Sequence, residues 1–261
     1  MERLIARAGN RKAQPRLTPL AQIKTPRGRN GFVNRILVAL PPASLNRIKS
    51  SLEPVGLDKG QVLVKLDEPL RHVYFVNRGI VSVVKTMIDG RSVEIGAIGI
   101  EGMTSALTLL GFDRTVLEAI VQIPGSAFRM RRDAALAAME NDEAFRQLVR
   151  DHARFALGQI AQTAACNRLH HLEERCCRWL LIAHDSALSD RFALTQEFLA
   201  MMLGSQRAGV SIALSTLKKA GIIDHMRGNI TIINRAGLED AACECYGAMR
   251  NELDQLYGPQ K

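Results

Sequence analysis

The residues with the most specific spacing lie between positions 196 and 219. Counting from Gln196, Ala200 is fifth, Gly204 is ninth and Val210 is fifteenth. Two helices that cross closely need a small residue at the fifth place, and a tight turn needs a left-handed backbone at the ninth. A branched apolar residue at the fifteenth packs the second helix onto the first. The pattern predicts a helix-turn-helix, whose second helix can hydrogen-bond to base edges of double-stranded DNA.

The residues around this unit extend the prediction. Thr195 and Ser205 are suited to cap helices over 196–203 and 206–219, because their hydroxyls can accept hydrogen bonds from first-turn amides. Ile222-Ile223 and the run 230–233 flank a turn at residues 227–229, which predicts a β-hairpin directly after the second helix. A helix-turn-helix followed by such a wing indicates a DNA-binding module more strongly than either part alone.

The segment 54–128 has a different sequence pattern, in which short runs of β-branched residues alternate with glycine-containing turns. Predicted turns are Lys59-Gly60, Arg78-Gly79, Asp89-Gly90 and Pro124-Gly125. The Asp89-Gly90 pair is typical of a type I′ hairpin turn, because both residues tolerate a positive φ. Closely spaced short strands of this kind indicate a compact antiparallel barrel or roll.

Helical periodicity dominates from residue 132 to about 187. One stripe of apolar residues runs along it: Phe145, Leu148, Val149, Ala156, Leu157, Ile160 and Ala164. A long helix beside a small roll must bury this stripe, and we expect it to do so against a second subunit. The alternative is packing against the chain's own roll. Before the roll, the apolar pattern of 34–52 predicts two short helices separated by Pro41-Pro42.

The charge of the chain is uneven. The 261 residues carry a net charge of +9, but residues 1–35 hold nine basic residues and one acid, so the remainder is nearly neutral. Few apolar residues occur in 1–31, which predicts a flexible basic tail. It is either simply solvated or an arm that touches nucleic-acid phosphates.

The five cysteines suit reduced thiols of a cytoplasmic protein, because their number is odd and two are adjacent. Cys176-Cys177, near His170-His171, have the residue types of a metal or redox site, and so does Cys243-Glu244-Cys245. In both cases we expect the alternative, buried thiols beside partly exposed polar residues. No metal site and no cofactor are predicted. No apolar run reaches the length of a membrane span, and no signature of an enzyme active site occurs.

Together these features resemble the Crp/Fnr (cyclic-AMP-receptor-like) transcription regulators over residues ~32–250. The segment 72–84 is similar to the family's sensor domain, and 195–223 to its DNA-binding domain. The resemblance implies an α+β fold with an N-terminal antiparallel β-roll of the cyclic-nucleotide-binding, jelly-roll type, a long dimerisation helix and a C-terminal winged helix-turn-helix. The expected division is 1–31 tail, 32–133 roll, 134–185 dimerisation helices and 186–261 winged helix. Implied partners are DNA, a second copy of the chain and RNA polymerase.

The resemblance also assigns roles to residues of the second helix. Arg207 stands where the family places a base-reading arginine, whose fork suits guanine O6 and N7. Ala208 and Ile212 occupy the two other reading positions and cannot replace the usual charged pair. The remaining candidates for contact with DNA are Gln206 and Ser211 for bases or phosphates, and Thr195, Ser205, Lys218 and Arg227 for phosphates or caps.

The sensor segment departs from the family's nucleotide pattern. Glu101, Gly102, Arg114 and Thr115 are the nearest counterparts of the ribose- and phosphate-binding residues. Glu101 does not follow its glycine directly, the separation from Arg114 is too wide, and the alanine expected after Thr115 is Val116. A cyclic nucleotide is therefore disfavoured, which leaves either an apolar or unidentified effector or none. The competing function is a cyclic-nucleotide-responsive subunit or ligand-binding module acting through protein partners, which would not need 195–229.

Overall fold

The computed structural model describes residues 31–112 and 114–259. It begins with the two predicted short helices, α1 (Arg35–Ala39) and α2 (Pro42–Ile48), followed by a 3-10 turn at Lys49–Ser51. The side chain of Asn34 caps α1 by accepting a hydrogen bond from the Leu37 amide at 3.2 Å. The predicted basic tail lies outside the described residues, apart from Gly31.

The N-terminal sheet contains five antiparallel strands in the order β1-β5-β3-β4, with β2 also paired to β5. Their bounds are β1 (Glu53–Leu57), β2 (Val62–Val64), β3 (His72–Thr86), β4 (Ser92–Ile98) and β5 (Glu118–Arg131), with α3 (Ala106–Leu109) between the last two. Val76, Val81 and Val121 are buried inside it. The predicted antiparallel roll is confirmed.

Two of the predicted glycine turns are wrong, because Arg78-Gly79 lies inside β3 and Pro124-Gly125 lies inside β5. The two strands are paired here, and their register shifts around Arg78. A Cβ on Gly79 would stand 2.5 Å from the carbonyl oxygen of Ile123, and one on Gly125 would stand 2.0 Å from that of Arg78. These glycines therefore allow a bulged, close backbone approach instead of a chain reversal.

The hairpin at Asp89-Gly90 is in the predicted place, but its turn is not type I′. Of the two residues Asp89 and Gly90, only Gly90 has a positive φ, of 80°. The Gly90 amide donates to Met87 O at 2.9 Å, and the Arg91 amide donates to Asp89 Oδ1 at 3.0 Å. Because the Asp89 side chain satisfies the following amide, a longer loop over residues 87–91 replaces the two-residue turn.

Three helices follow the roll: α4 (Arg132–Asn141), α5 (Glu143–Leu169) and α6 (Leu172–Ala187). Asp142 leaves the helical backbone and caps α5 by accepting from the Phe145 amide at 3.1 Å. The first part of the apolar stripe, predicted to face a partner, is covered by the chain itself. Phe145 and Val149 are fully buried against the roll and its flanking helices.

The other end of the stripe remains uncovered in this chain. Leu157 is 61% exposed, and Ala161 and Ala164 are exposed on the same face of α5. Ile160 turns toward the roll instead. The stripe thus divides, since a 27-residue helix outruns the small roll that covers its first half.

The C-terminal part contains β6 (Arg191–Ala193), α7 (Gln196–Met202), α8 (Arg207–Lys219), β7 (Ile223–Met226) and β8 (Asn229–Ile232), followed by α9 (Arg235–Asp240) and α10 (Cys245–Tyr257). The three strands form one antiparallel sheet in the order β6-β8-β7. The predicted winged helix-turn-helix is confirmed, and β6 is an additional strand that the sequence analysis did not identify.

Helix α6 joins the two halves of the molecule. Its buried residues share one apolar cluster with the helix-turn-helix and with Ile80, Ala97 and Ile123 of the roll. The indole of Trp179 donates to Glu94 Oε1 on β4 at 2.9 Å. Burial raises the pKa of Glu94 to about 7 because the carboxylate form is desolvated, against the opposing hydrogen bonds from Ser82 and Trp179.

Helix α10 turns back onto α5 and α1. The guanidinium of Arg35 donates from Nη2 to Leu253 O and to Asp254 Oδ1, both at 2.9 Å, and lies over the ring of Tyr257. Arg154 on α5 pairs with Glu252 at 3.2 Å. The end of the chain is therefore held beside the long helix. Among the described residues, no helix combines the length and hydropathy needed to cross a bilayer.

Candidate nucleic-acid interface and sensor cleft

The helix-turn-helix has the packing that its spacing predicted. Ala200 and Val210 are buried between α7 and α8, together with Leu199, and Gly204 has a φ of 57°. The Ser205 amide donates to Ala200 O at 2.9 Å, which closes the end of α7. A tight turn with a buried seam holds α8 rigidly on the surface.

The two predicted caps have different outcomes. Thr195 caps α7, because its Oγ1 accepts from the Phe198 amide at 3.3 Å. Ser205 does not cap α8, which begins at Arg207 with Gln206 at the N-cap position and no capping side chain. The prediction for Ser205 was wrong because its backbone still completes the end of α7, so the next helix starts later.

The outer face of α8 presents the residues assigned to base reading. Gln206, Arg207 and Ala208 are exposed, Ser211 is half-buried, and Ile212 is 65% exposed. Among the described residues, none forms a hydrogen bond or ion pair with the Arg207 side chain. This guanidinium is therefore free to bind a ligand outside the chain.

The wing is attached to the start of α7. The Leu194 amide donates to Gly228 O at 2.8 Å, which ties the hairpin to the helix-turn-helix. Arg227 and Gly228 have φ values of 50° and 77°, so they form the two-residue turn of the hairpin and Asn229 belongs to β8. The Arg227 side chain is exposed at the tip, beside the surface of α8.

Lys218 differs from the other predicted phosphate contacts because it already has a partner. Its Nζ lies 2.5 Å from Asp224 Oδ1 on β7. The hydrogen bond from Lys218 lowers the pKa of Asp224, so the carboxylate form is favoured. A phosphate would have to compete with this carboxylate for the ammonium group.

A small cleft that opens to solvent lies between the roll and the middle of α5, with a cavity volume of about 80 Å³. Its walls are mainly apolar. The lining includes Ala97, Met103, Leu107, Val116, Phe155 and Ile160. A mostly apolar cleft with few polar groups is typical of a small-molecule site.

His152 is a polar group of this cleft that the sequence analysis missed. Burial lowers its pKa to about 4, so the ring is neutral near pH 7. Its Nε2 lies 3.1 Å from the Met103 amide nitrogen and 3.2 Å from the Met103 carbonyl oxygen, so it can accept a hydrogen bond from the first or donate one to the second, according to the tautomer. Nδ1 is buried and has no hydrogen-bond partner among the described residues. A single histidine inside an apolar helix stripe gave no signal at the level of sequence.

The four predicted effector residues are not brought together. Thr115 lines the cleft, but Arg114 is exposed and donates to Asp67 O at 2.7 Å. Glu101 turns back on its own loop, where Oε1 accepts from the Gly99 amide at 2.7 Å. Gly102 packs so tightly on His152 that a Cβ would stand 2.6 Å from the ring. The prediction of a shared pocket was therefore wrong for Glu101, Gly102 and Arg114.

This arrangement bears on the binding of an anion. No arginine or lysine is among the described residues that line the cleft. Burial raises the pKa of Glu118, a carboxyl group that does line it. A cyclic phosphate in this cleft would lack the positioned cation that a desolvated anion needs.

The adjacent thiols of Cys176 and Cys177 lie in the apolar core, with 0% and 1% exposure. Burial raises the pKa of both, to about 12 for Cys177. They are apart from the imidazole of His170. The structure instead brings His170 together with the other three cysteines, a grouping that the sequence analysis did not consider because they are distant along the chain.

Comparisons with known proteins give one consistent result. A model of the Crp-like helix-turn-helix domain matches residues 174–241, and a model of the cyclic nucleotide-binding domain matches 54–142. A search of curated protein sequences gave no significant match. Among solved structures, FixK2 from Bradyrhizobium japonicum is similar at 22% identity with a TM-score of 0.63, covering 74% of this chain and 98% of its own.

Two further structures have the same fold. The c-di-GMP-responsive global regulator CLP from Xanthomonas campestris has 12% identity and a TM-score of 0.59, covering 74% of this chain and 99% of its own. A CRP-family transcriptional regulator from Thermus thermophilus has 20% identity and a TM-score of 0.59, covering 72% and 95%. At these identities the likeness establishes the shared fold, and the two domain models establish the kind of protein.

Proposed function

The chain belongs to the Crp/Fnr family of transcription regulators, and we propose that it acts as a homodimer that reads DNA with α8. The observation that carries the proposal is the free guanidinium of Arg207 on the exposed face of a rigid helix. Two such helices related by a two-fold axis would reach half-sites about 34 Å apart on one face of the duplex.

Base reading is assigned to three polar residues of α8. Arg207 would hold guanine through O6 and N7, with Gln206 and Ser211 adding contacts to neighbouring bases or phosphates. The apolar Ala208 and Ile212 would contact thymine methyl groups. Charged residues at these positions would not favour such contacts. The operator is therefore expected to differ from one read by a charged pair.

Positioning on the backbone is assigned to residues around α8. Arg227 at the tip of the wing would bind a phosphate directly. Lys218 would leave its ion pair with Asp224 and bind a phosphate instead. Thr195 and Ser205 would add hydroxyl contacts where α7 and the turn approach the duplex. Such contacts set register and carry no sequence information.

The uncovered end of the α5 stripe supports the homodimer. Leu157, Ala161 and Ala164 recur at intervals of four and three residues, which is the spacing of a helix–helix seam. A leucine 61% exposed between small residues would be buried if two α5 helices paired. Replacing Leu157 by Glu should then shift the protein from dimer to monomer in sedimentation analysis.

The sensor is proposed to respond to an apolar or weakly polar molecule, or to none, instead of a cyclic nucleotide. An effector in the cleft would contact the apolar walls beside His152. We keep the division into a roll at 32–133, dimerisation helices at 134–185 and a winged helix from 186. The protein would work in the cytoplasm with RNA polymerase as a partner, and not as an enzyme.

The test is selection of bound sequences from a random pool of duplex DNA, using the full chain and the R207A variant in parallel. The wild type should enrich a two-fold symmetric site with one guanine in each half at the Arg207 position. The variant should lose preference at that base pair while retaining the others. Enrichment of no sequence by the wild type would overturn the proposal.

The second candidate function is a ligand-binding module that acts only through protein partners. The cleft beside α5 favours it, because a sensor could act without DNA. It predicts that the wild type and R207A bind all duplexes equally, at an affinity set by salt alone.

A further inference from the structure

Three cysteines and one histidine from two distant segments converge between α5 and α10. Cys166 lies in the last turn of α5 and His170 directly follows this helix, whereas Cys243 precedes α10 and Cys245 is its first residue. Their thiol sulfurs and the ligand nitrogen all lie within 4.8 Å of one another. The three cysteines are buried, and the histidine side chain is 18% exposed.

Two of the six ligand-to-ligand distances match the edges of a tetrahedral metal site, and the others are at most 4.8 Å. Zinc–sulfur bonds of about 2.3 Å and zinc–nitrogen bonds of about 2.0 Å imply S···S edges near 3.8 Å and S···N edges near 3.5 Å. The Sγ atoms of Cys166 and Cys243 are 3.6 Å apart, and Cys245 Sγ lies 3.5 Å from His170 Nδ1. Little movement is needed to place one ion at the centre.

The imidazole of His170 is oriented as a metal ligand. Its Nε2 lies 3.1 Å from Glu244 Oε1, so the ring can donate a proton to this carboxylate and direct the Nδ1 lone pair at the thiols. A carboxylate behind a histidine is the usual outer partner of a metal-bound imidazole. A cluster of inert thiols would not need an imidazole held this way.

Polar groups around the cluster favour negative charge on sulfur. Gln162 Nε2 donates to Cys245 Sγ at 2.9 Å. Burial raises the pKa of Cys166, and the buried guanidinium of Arg178 acts against that rise. Arg175 also lies close enough to Cys166 and Cys243 to interact with their charges. Three thiolates and a divalent ion leave a net charge of about −1, which these arginines can offset.

We propose that Cys166, His170, Cys243 and Cys245 form a structural site for one zinc-like divalent cation, which fastens α10 to the end of α5. Three thiolates select a soft ion, and four protein ligands leave no open position for catalysis. Binding involves no redox step, since the three thiols release three protons to solvent and neutral His170 coordinates directly. The site does not depend on the proposed reading of DNA.

The alternative for the same atoms is a disulfide between Cys166 and Cys243. The two sulfurs would have to move about 1.5 Å closer to reach bonding distance. A disulfide would leave Cys245 and the oriented His170 without a role. The metal site uses all four groups and is the simpler account of their convergence.

The experiment titrates the full chain, stripped by a chelator under reducing conditions, with Co²⁺ as a spectroscopic probe and then with Zn²⁺. We expect one Co²⁺ per chain, a thiolate-to-cobalt charge-transfer band and the intense visible bands of tetrahedral cobalt. Zn²⁺ should displace Co²⁺, and a weakly buffered solution should register close to three protons released per ion. Metal uptake should also raise the melting temperature by several degrees.

Variants locate the site. C245S should weaken Co²⁺ binding by at least about 100-fold, whereas H170C retains four ligands and should keep binding with a shifted spectrum. Glu244 is 77% exposed, so E244Q should fold normally and still lose about 10–100-fold in affinity. C177A removes a buried thiol outside the cluster and is the matched control, with no expected change in affinity.

Three results would overturn the proposal. One is Co²⁺ uptake without a sulfur charge-transfer band. Another is equal affinity in wild type, C245S and E244Q. The third is an intact mass 2 Da low, with Cys166 joined to Cys243, in a protein whose reduced form takes up no metal.

Discussion

The surface of α8 and the cleft beside α5, the two regions proposed to meet DNA and an effector, are built in opposite ways. The surface of α8 carries exposed polar side chains on a helix whose seam is fully buried, whereas the cleft beside α5 carries buried apolar side chains and one neutral histidine. The first can be read from spacing because its ligand contacts come from one short segment. The second assembles strands, a loop and a distant helix.

The difference also concerns what each region can tolerate. DNA contributes a fixed array of phosphates and base edges, so a helix-turn-helix must keep its geometry to remain useful. A sensor cleft can change its ligand by exchanging a few side chains. In this chain the counterparts of the nucleotide-binding residues make other contacts. For example, Glu101 accepts a hydrogen bond from the Gly99 amide within its own loop.

The largest expected effect tests how much the buried seam that holds α8 contributes to stability. L199A should lower the free energy of unfolding by about 2–5 kcal/mol, because Leu199 is fully buried and its removal leaves a cavity. Urea denaturation measures the loss. I88A, in the exposed hairpin loop of the roll, should change stability by less than about 0.5 kcal/mol. Equal effects would contradict a rigid seam.

A second prediction concerns the contact that joins the regions, between Glu94 and Trp179. The pKa of Glu94 is raised to about 7, so the native state holds a proton that the unfolded state loses near pH 4.5. This stabilisation is present at low pH and is lost as pH rises toward 7. The free energy of unfolding of E94Q relative to wild type should therefore increase by about 3 kcal/mol as the pH rises from 4.5 to 8.

His152 in the cleft changes the stability with pH in the direction opposite to that of Glu94. His152, with its pKa lowered to about 4, destabilises the native state as pH falls from 6.5 toward 4. In wild type the two effects oppose each other, and E94Q removes the larger opposing contribution. The buried carboxyl of Glu101, whose pKa burial also raises, still acts in the same direction as Glu94 did. Urea titrations at several pH values measure this. A gap between E94Q and wild type that does not vary with pH would contradict the assignment.

A third prediction separates base reading from phosphate binding within one surface. R207A should weaken binding to the selected operator by about 1–3 kcal/mol and relax one base pair in each half-site. R227A should weaken all duplexes alike and reduce the slope of log affinity against log salt by about 0.9 per lost contact. Fluorescence anisotropy at several salt concentrations distinguishes them. Identical behaviour of the two variants would remove the special role of Arg207.

The smallest effect is expected for cyclic AMP. At 100 times its dissociation constant a bound ligand would stabilise the protein by about 2.7 kcal/mol. We expect no change in melting temperature, because no arginine or lysine among the described residues lines the cleft. A saturable rise with cyclic AMP or cyclic GMP would restore the nucleotide sensor.

Local sequence was sufficient for the winged helix, where each predicted residue acts on near neighbours. Thr195 caps its own helix, Gly204 takes its left-handed turn, and Ala200 and Val210 meet across one turn. Ser205 was the exception. Its backbone amide donates to Ala200 O at the end of α7, so it does not take the N-cap position of α8. Within this region the type and spacing of residues determined the helix-turn-helix and the hairpin, but not the strand β6, which pairs with β8.

Tertiary structure alone decided the rest. Gly79 and Gly125 have the composition of turns but serve a close strand crossing, since their role depends on a partner strand about 45 residues away. His152 acquires its low pKa only when the roll covers α5. Cys166 and Cys243 become neighbours only because α10 folds back along the long helix. Spacing along the chain carries no record of such contacts, because they depend on how separate elements pack.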